Sequence, residues 1–424
     1  MPQSLSFKQA SDWLTWLEQQ HPSHDIDMGL TRIRQVAQRL LLNAPIAKQV
    51  ITVAGTNGKG SSVAFLTSIL EQAGLTYASL TSPHFVRFNE RIQFQGIPVG
   101  DEALCASFER VNKARYDAAG VGTLLTYFEF NALLAFDLMQ AADLDVAVLE
   151  IGLGGRLDAV NLIDADVAIV TTISVDHVDW LGDNVEAIGR EKAGIYRAHK
   201  PAIVGSVDCP ASVAQYAHQI NAQCLQNGVH FKVENHTWSN VSGVTIDLPE
   251  SHLPAMNMAA VVQAIDCLSF DIKADDIILG LEKARLKGRF QRLEWQGKHV
   301  ILDVAHNPQA AENLAATLAN EVCEGKTIAV LAMLSDKDYP QVIAILAASF
   351  DHWALASSEG VRGLSSLDLA QQISIHKTDA FSVTTYDTPV EAFNQALAGA
   401  SEKDRIIVLG SFVTVGAVLA LIEA

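Results

Sequence analysis

The sequence predicts an α/β protein with mainly parallel sheets and more than one domain, and three observations carry that expectation. Apolar runs of strand length alternate repeatedly with segments of helical period. The 424 residues exceed one domain of ordinary size. A hydrophobic share of 49% beside 18% charged residues excludes wholesale disorder.

Taken in order, Leu30, Ile33, Ala37, Leu40 and Leu41 recur every three or four positions and predict a helix. Val50–Ala54 is the first buried strand. The helix after it is expected from Ser62, with Val63, Leu66, Ile69, Leu70 and Ala73 on one face and Gly74 as its stop. Val146–Ile151 and Val167–Thr171 are further buried strands. Between residues 229 and 248 short alternating runs separated by Asn, Ser and Gly predict a small β excursion, before a helix near Pro254 and another over Asp275–Ala284. A break between Leu286 and Arg292 gives two domains, 1–286 and 287–424. The second holds strands at Val300–Val304, Thr327–Ala332, His352 and Ile406–Leu409, helices from Gln309 and Ser366, and a buried terminal helix over 412–422.

Lys plus Arg total 30 against 48 Asp plus Glu, a net charge of −18, which argues against nucleic acid as a partner. Small anions are still admissible, because a few local cations and oriented N–H groups suffice to hold them. No apolar run reaches the roughly 18–20 residues that span a bilayer, and the first residues lack the pattern of a secretory signal. Five scattered cysteines form no CxxC pair, so neither a disulfide framework nor a zinc site is indicated. A cytoplasmic protein is expected.

The chemistry begins at Gln49–Thr56, an apolar strand running into Asn57, Gly58, Lys59, Gly60 and Ser61. Glycines let the loop curl its N–H groups inward, and the following helix N-terminus adds positive potential. Lys59 supplies a cation for β- and γ-phosphates, and Ser61 a hydroxyl for Mg²⁺. The loop departs from the common phosphate-loop pattern, since Gly60 separates the lysine from the hydroxyl. Its plain alternative, a glycine-rich turn with a surface lysine, fits the flanking strand and helix poorly. Nucleotide binding is the expectation.

Glu150 ends the strand DVAVLE, where ligands bind in open α/β sheets. Ser82 follows the strand-like YASLT, and His177 follows VAIVTTI. Each alone reads as readily as a solvated loop residue; together they suggest a metal–phosphate centre. Histidine is an unusual Mg²⁺ ligand, which weakens the chemical argument for that residue. Lys192, in REKAGI, reads first as a surface helix lysine, with a cation at the centre or a buried amine open to modification as the other readings.

The strings Gly55-Thr-Asn-Gly-Lys-Gly-Ser61, Ser82-Pro-His84, Leu125-Thr-Tyr-Phe-Glu129, Glu150-Ile-Gly-Leu-Gly-Gly-Arg-Leu-Asp158, Asp176-His177 and Arg190-Glu-Lys-Ala-Gly194 together resemble the folylpolyglutamate synthase family. Within it, the likeness is to the bacterial enzymes that are also dihydrofolate synthases; the wider group is the Mur ligases. Gly288-Arg-Phe290, Asp303-Val-Ala-His-Asn-Pro308, Asp336-Lys-Asp338 and Gly410-Ser-Phe412 extend it over nearly the whole chain. The resemblance implies an N-terminal P-loop ATPase domain, a smaller C-terminal Rossmann-like domain, and an active site between them. It implies ATP contacts from Asn57, Gly58, Lys59, Gly60, Ser61, Asn257, Arg289 and Asp303. Two Mg²⁺ ions would be held by Ser61, Ser82, Glu150 and His177, with Lys192 carbamylated to help hold the second; a monovalent cation is a further candidate. Thr126, Tyr127, Phe128, Arg156, Leu157 and Asp158 would bind the pterin substrate, and His306 and Ser411 would lie near glutamate. Lys287, where relatives often carry proline, is a departure that puts no ligand in doubt.

The implied reaction joins L-glutamate to dihydropteroate and to tetrahydrofolates through an acyl phosphate, in a monomer without membrane or nucleic-acid partners. A folylpolyglutamate synthase alone and a muramyl-type amino-acid ligase stand as alternatives. The second should lack the LTYFE and GRLD segments. A nucleotide switch or kinase would have no use for the DVAHNP block and second domain.

Overall fold

The computed structural model describes residues 6–21, 27–176, 178–251, 253, 255–360, 362–375 and 381–424. The chain divides into two compact units, residues 1–84 with 88–285, and residues 85–87 with 286–424.

The first unit is built on an eight-stranded sheet. Its strands are β1 (Gln49–Ala54), β2 (Tyr77–Leu80), β3 (Ile92–Phe94), β4 (Ile97–Pro98), β5 (Val146–Glu150), β6 (Val167–Val170), β7 (Pro201–Val204) and β8 (Gln223–Gln226). The order is β4-β3-β2-β5-β1-β6-β7-β8. Pairing is parallel from β2 through β8, and β3 and β4 add an antiparallel edge. β1 lies between β5 and β6, so the loop leaving β1 is flanked by the C-terminal ends of both neighbours. This is where open α/β sheets bind ligands.

Helices cover the sheet because its strands are apolar on both faces; all five residues of β5 are buried. The Lys59–Gln72 helix packs against the Ala274–Lys283 helix so closely that a Cβ on Gly280 would lie 2.5 Å from Ile69 Cα. On the other side, Trp13 stacks on Phe108, with centroids 5.3 Å apart and planes 7° apart. The β excursion is a small antiparallel sheet of β9 (Phe231–Glu234), β10 (Thr237–Asn240) and β11 (Thr245–Asp247). Trp238 anchors it, fully buried and donating from Nε1 to Ala259 O.

The second unit carries β12 (Gln291–Trp295), β13 (Lys298–Asp303), β14 (Thr327–Leu331), β15 (His352–Ala356), β16 (Ser382–Tyr386) and β17 (Arg405–Leu409). Their order is β12-β13-β17-β14-β15-β16, parallel except for the β12–β13 hairpin. The Phe412–Glu423 helix closes the chain, and Val415, Val418 and Leu419 are buried.

Several expected boundaries move. The phosphate-loop helix starts at Lys59 rather than Ser62, because left-handed Gly58 (φ +90°) already turns the chain into its first turn. The expected strand residues Ile151, Thr171, Val304 and Ala332 lie just past their strands. The helix expected near Pro254 starts at Met256, and Pro254 lies outside the described residues. Among the described residues no helix is long and apolar enough to cross a membrane.

Candidate active site

The phosphate loop is held from β6. Thr56 N–H donates to Thr172 O at 2.7 Å, and the hydroxyls of Thr171 and Thr172 donate to Asn57 O at 2.6 and 3.1 Å. This close approach is why Gly55 is glycine: a Cβ there would lie 1.8 Å from Thr171 Oγ1. At Gly58 a Cβ would lie 2.6 Å from Asn257 Oδ1, so buried Asn257 sits directly on the loop. Lys59 Nζ folds back on the loop, donating to Gly55 O at 2.9 Å and Thr56 O at 3.1 Å. Ser61 is buried in the first helical turn.

Glu150 lies beside this loop, because β5 pairs with β1 in the register Val53↔Glu150. The acid is buried, and its Oε2 accepts from Ser82 N–H at 3.2 Å. Serine hydroxyls and a buried carboxylate are the hard oxygen donors that Mg²⁺ takes, so Ser61, Ser82 and Glu150 fit that ion. The fourth expected metal residue, His177, lies outside the described residues. Among those residues no three His, Cys, Asp or Glu gather as a metal site on their own.

After Glu150 the glycine-rich loop is squeezed between two partners. On one side, a Cβ on Gly152 would lie 2.4 Å from Phe128 Cζ. On the other, a Cβ on Gly155 would lie 2.7 Å from Lys192 O, and one on Gly194 would lie 2.4 Å from Arg156 Cβ. Asn161 fastens the two segments by donating to Arg156 O at 3.0 Å and Gly194 O at 3.2 Å. Lys192 is therefore packed beneath this loop near the end of the Val185–Ala193 helix and is buried. Burial first, and then the charge of Lys59, push its amine down to about 7, against the pull of Asp176, Asp158 and Glu191.

Three residues expected to touch substrate also make hydrogen bonds inside the fold. Asp158 is buried and accepts from Leu153 N–H and Val160 N–H, each at 2.8 Å. Burial raises its carboxyl to about 6 despite those bonds and Lys192. Those bonds make it part of what shapes the loop. Thr126 caps the Tyr127–Gln140 helix: its hydroxyl accepts from Glu129 N–H at 3.1 Å, and its own N–H donates to Glu129 Oε2 at 2.8 Å. Ser411 caps the last helix, accepting from Thr414 N–H at 3.0 Å. Arg156 is half exposed and pairs with Glu191 at 2.9 Å, and Leu157 is partly buried.

Sequence reasoning assigned no role to Arg91 or to the side chain of His84. Arg91 is 9% exposed, and its Nε donates to His84 Nδ1 at 2.8 Å. Its Cζ lies 5.5 Å from the Phe88 ring centre and 5.7 Å from that of Tyr127. Burial lowers its pKa, and Tyr127, Glu150 and Glu90 raise it. No motif marked this arginine; the cue was a pair of charges, Glu90 and Arg91, between apolar Phe88 and Ile92.

In the second unit, Asp303 ends β13 and accepts from Phe290 N–H and Ala305 N–H, each at 2.8 Å. Burial raises its pKa, and Arg289 is the first group opposing the rise. Arg289 itself lies over the Phe412 ring at 5.1 Å. His306 Nδ1 lies 2.8 Å from Val304 O; a carbonyl can only accept, so this contact puts the ring proton on Nδ1.

A phosphate loop on the central strand of a parallel sheet, a strand-end acid beside it and a buried lysine, with a second parallel α/β unit in the same chain, define a Mur-type ligase. The Mur ligase middle domain matches residues 53–247, and the Mur ligase glutamate ligase domain matches residues 288–412. The dihydrofolate synthase/folylpolyglutamate synthase of Escherichia coli K12 is 41% identical over 418 residues, covering 98% of this chain and 96% of that protein. The counterpart from Haemophilus influenzae is 37% identical, covering 97% of each. A solved structure of E. coli FolC with DHPP and ADP superposes with a TM-score of 0.91 at 40% identity, covering 100% of this chain and 99% of that one. The chain belongs to the dihydrofolate synthase/folylpolyglutamate synthase family.

Proposed function

We propose that this protein is an ATP-dependent ligase that joins L-glutamate to dihydropteroate and to reduced folates. The observation that carries this reading is the glycine-rich loop after Glu150. It touches Phe128 of the acceptor segment on one side and the Lys192 helix on the other. Two relatives lend support: the E. coli structure named above holds DHPP and ADP, and another bifunctional enzyme of the family, 40% identical with a TM-score of 0.89, holds Mn, AMPPNP and L-glutamate.

The chemistry follows from what a carboxylate cannot do. It does not react with an amine at neutral pH, because oxide would have to leave. One carboxylate oxygen of the acceptor attacks the γ-phosphorus of ATP, ADP leaves, and an acyl phosphate forms. The glutamate amine then attacks the acyl carbon, and the C–O bond to phosphate breaks. Lys59 and the loop N–H groups from Asn57 to Ser61 hold the phosphates and offset charge on the transferring group. Ser61, Ser82, Glu150 and His177 would hold divalent metal, as two Mg²⁺ ions, which would supply further charge neutralisation. The lowered Lys192 amine is suited to carbamylation, since only the neutral amine adds to CO₂, releasing one proton. Asn257, Arg289 and Asp303 are assigned to the nucleotide, Tyr127, Phe128, Arg156 and Leu157 to the acceptor, and His306 to glutamate.

The route is tested with an ¹⁸O-labelled acceptor carboxylate. One label should appear in inorganic phosphate for each amide formed. Phosphate free of label would rule out the acyl phosphate.

A further inference from the structure

We propose that Arg91 binds the reacting carboxylate of the acceptor, and that His84 is the positioning residue that aims it. This rests on the ligase reading above. A guanidinium carries five N–H donors and is costly to bury without partners. Arg91 is nine-tenths buried, yet the one hydrogen bond of its side chain among the described residues is from Nε to His84 Nδ1. The faces of Phe88 and Tyr127 lie against its guanidinium and hold the plane without using its donors. The terminal Nη groups therefore form an unused planar fork, the shape that grips a carboxylate through two parallel bonds.

Its place selects which carboxylate. Tyr127 is the neighbour of Phe128, whose ring lies on Gly152 in the acceptor segment. Toward the phosphate loop, the field of Glu150 reaches Arg91, and Thr81 N–H, adjacent to Ser82, donates to Arg91 O at 2.8 Å. A fixed cation between the acceptor segment and the phosphate centre stands where the carboxylate must lie to meet the γ-phosphoryl group. Binding both oxygens limits rotation and turns one toward phosphorus. His84 contributes through Arg91: by accepting from Nε it fixes the fork's direction, and it carries its own proton on Nε2.

The experiment measures binding of dihydropteroate and of its carboxamide to the full chain with ADP and Mg²⁺, for the wild type, Arg91→Gln, Arg91→Lys, His84→Phe and His84→Gln. The wild type should prefer the acid, and Arg91→Gln should lose roughly ten- to a hundredfold of that preference while ADP affinity holds. Arg91→Lys, which keeps the charge without the fork and guards against misfolding of the glutamine variant, should recover only part of it. His84→Phe should lower kcat for dihydropteroate with little change in glutamate KM, and His84→Gln, which restores an acceptor, should rescue it. An acid preference unchanged in either Arg91 variant overturns the proposal, as does a defect confined to glutamate KM. A wild type that binds neither dihydropteroate nor tetrahydrofolate defeats the ligase reading itself, before any variant is made.

Discussion

Lys192 is the residue whose environment has the most measurable consequences. Its amine is near 7 when folded against 10.5 for a free lysine. Between those values the unfolded chain binds the extra proton, so this group makes stability rise with pH. Asp158, raised from 3.8 to about 6, gives the opposite slope between its two values, where the folded chain binds more protons and stability falls as pH rises. Melting temperature against pH, in buffer free of CO₂, should show both limbs in the wild type. Lys192→Met should erase the rise above pH 7; a rise that persists contradicts the placement of this lysine. For Lys192→Ala we expect lost turnover that short carboxylic acids partly restore, and full activity without them would remove the carbamate from the account.

Among the elements, the glycine-rich loop and the phosphate loop are set by contacts that leave no room for a side chain. Gly152→Ala should raise KM for the folate acceptor and spare ATP affinity, because its Cβ would strike the Phe128 ring at 2.4 Å. Gly58→Ala should do the reverse, since its Cβ meets Asn257 and its φ is +90°. Paired measurements of both affinities in both variants check this; equal losses would show that the two loops are not separate devices. Thr126→Ala should cost about 1 kcal/mol of stability through its helix cap, read by denaturant unfolding. The alternation of apolar strand and helical period made the parallel sheets legible, and so did Gly58-Lys59 as a turn into a helix. The edge strands β4, β12 and β16, and β3 beside β4, were not legible, because they are short or half exposed and carry no continuous apolar run. Capping by Thr126 and Ser411 was hidden for a different reason: a hydroxyl that ends a helix and one that meets a ligand look alike in sequence.

At the scale of the whole molecule, a chain with net charge −18 handles ATP, glutamate and a carboxylate acceptor, all anions. On the proposed assignment it does so with a few cations placed one by one, of which Lys59 and Arg91 lie in the first unit and Arg289 in the second. Composition alone argued against nucleic acid and pointed to no substrate; the motif strings named the family, and 41% identity over nearly the full length to the E. coli enzyme bears that out. Arg91 escaped notice because a buried arginine is defined by what packs over it, which only the fold reveals. Loss of Lys59 as Lys59→Ala should abolish turnover with every acceptor, whereas the Arg91 variants should act on acceptors alone. The most direct measurement is ADP release by the purified protein with Mg²⁺ and glutamate, with dihydropteroate and tetrahydrofolate offered separately. Turnover with both is the predicted result. Release with neither, while ATP still binds, would contradict the assignment and direct attention to muramyl acceptors.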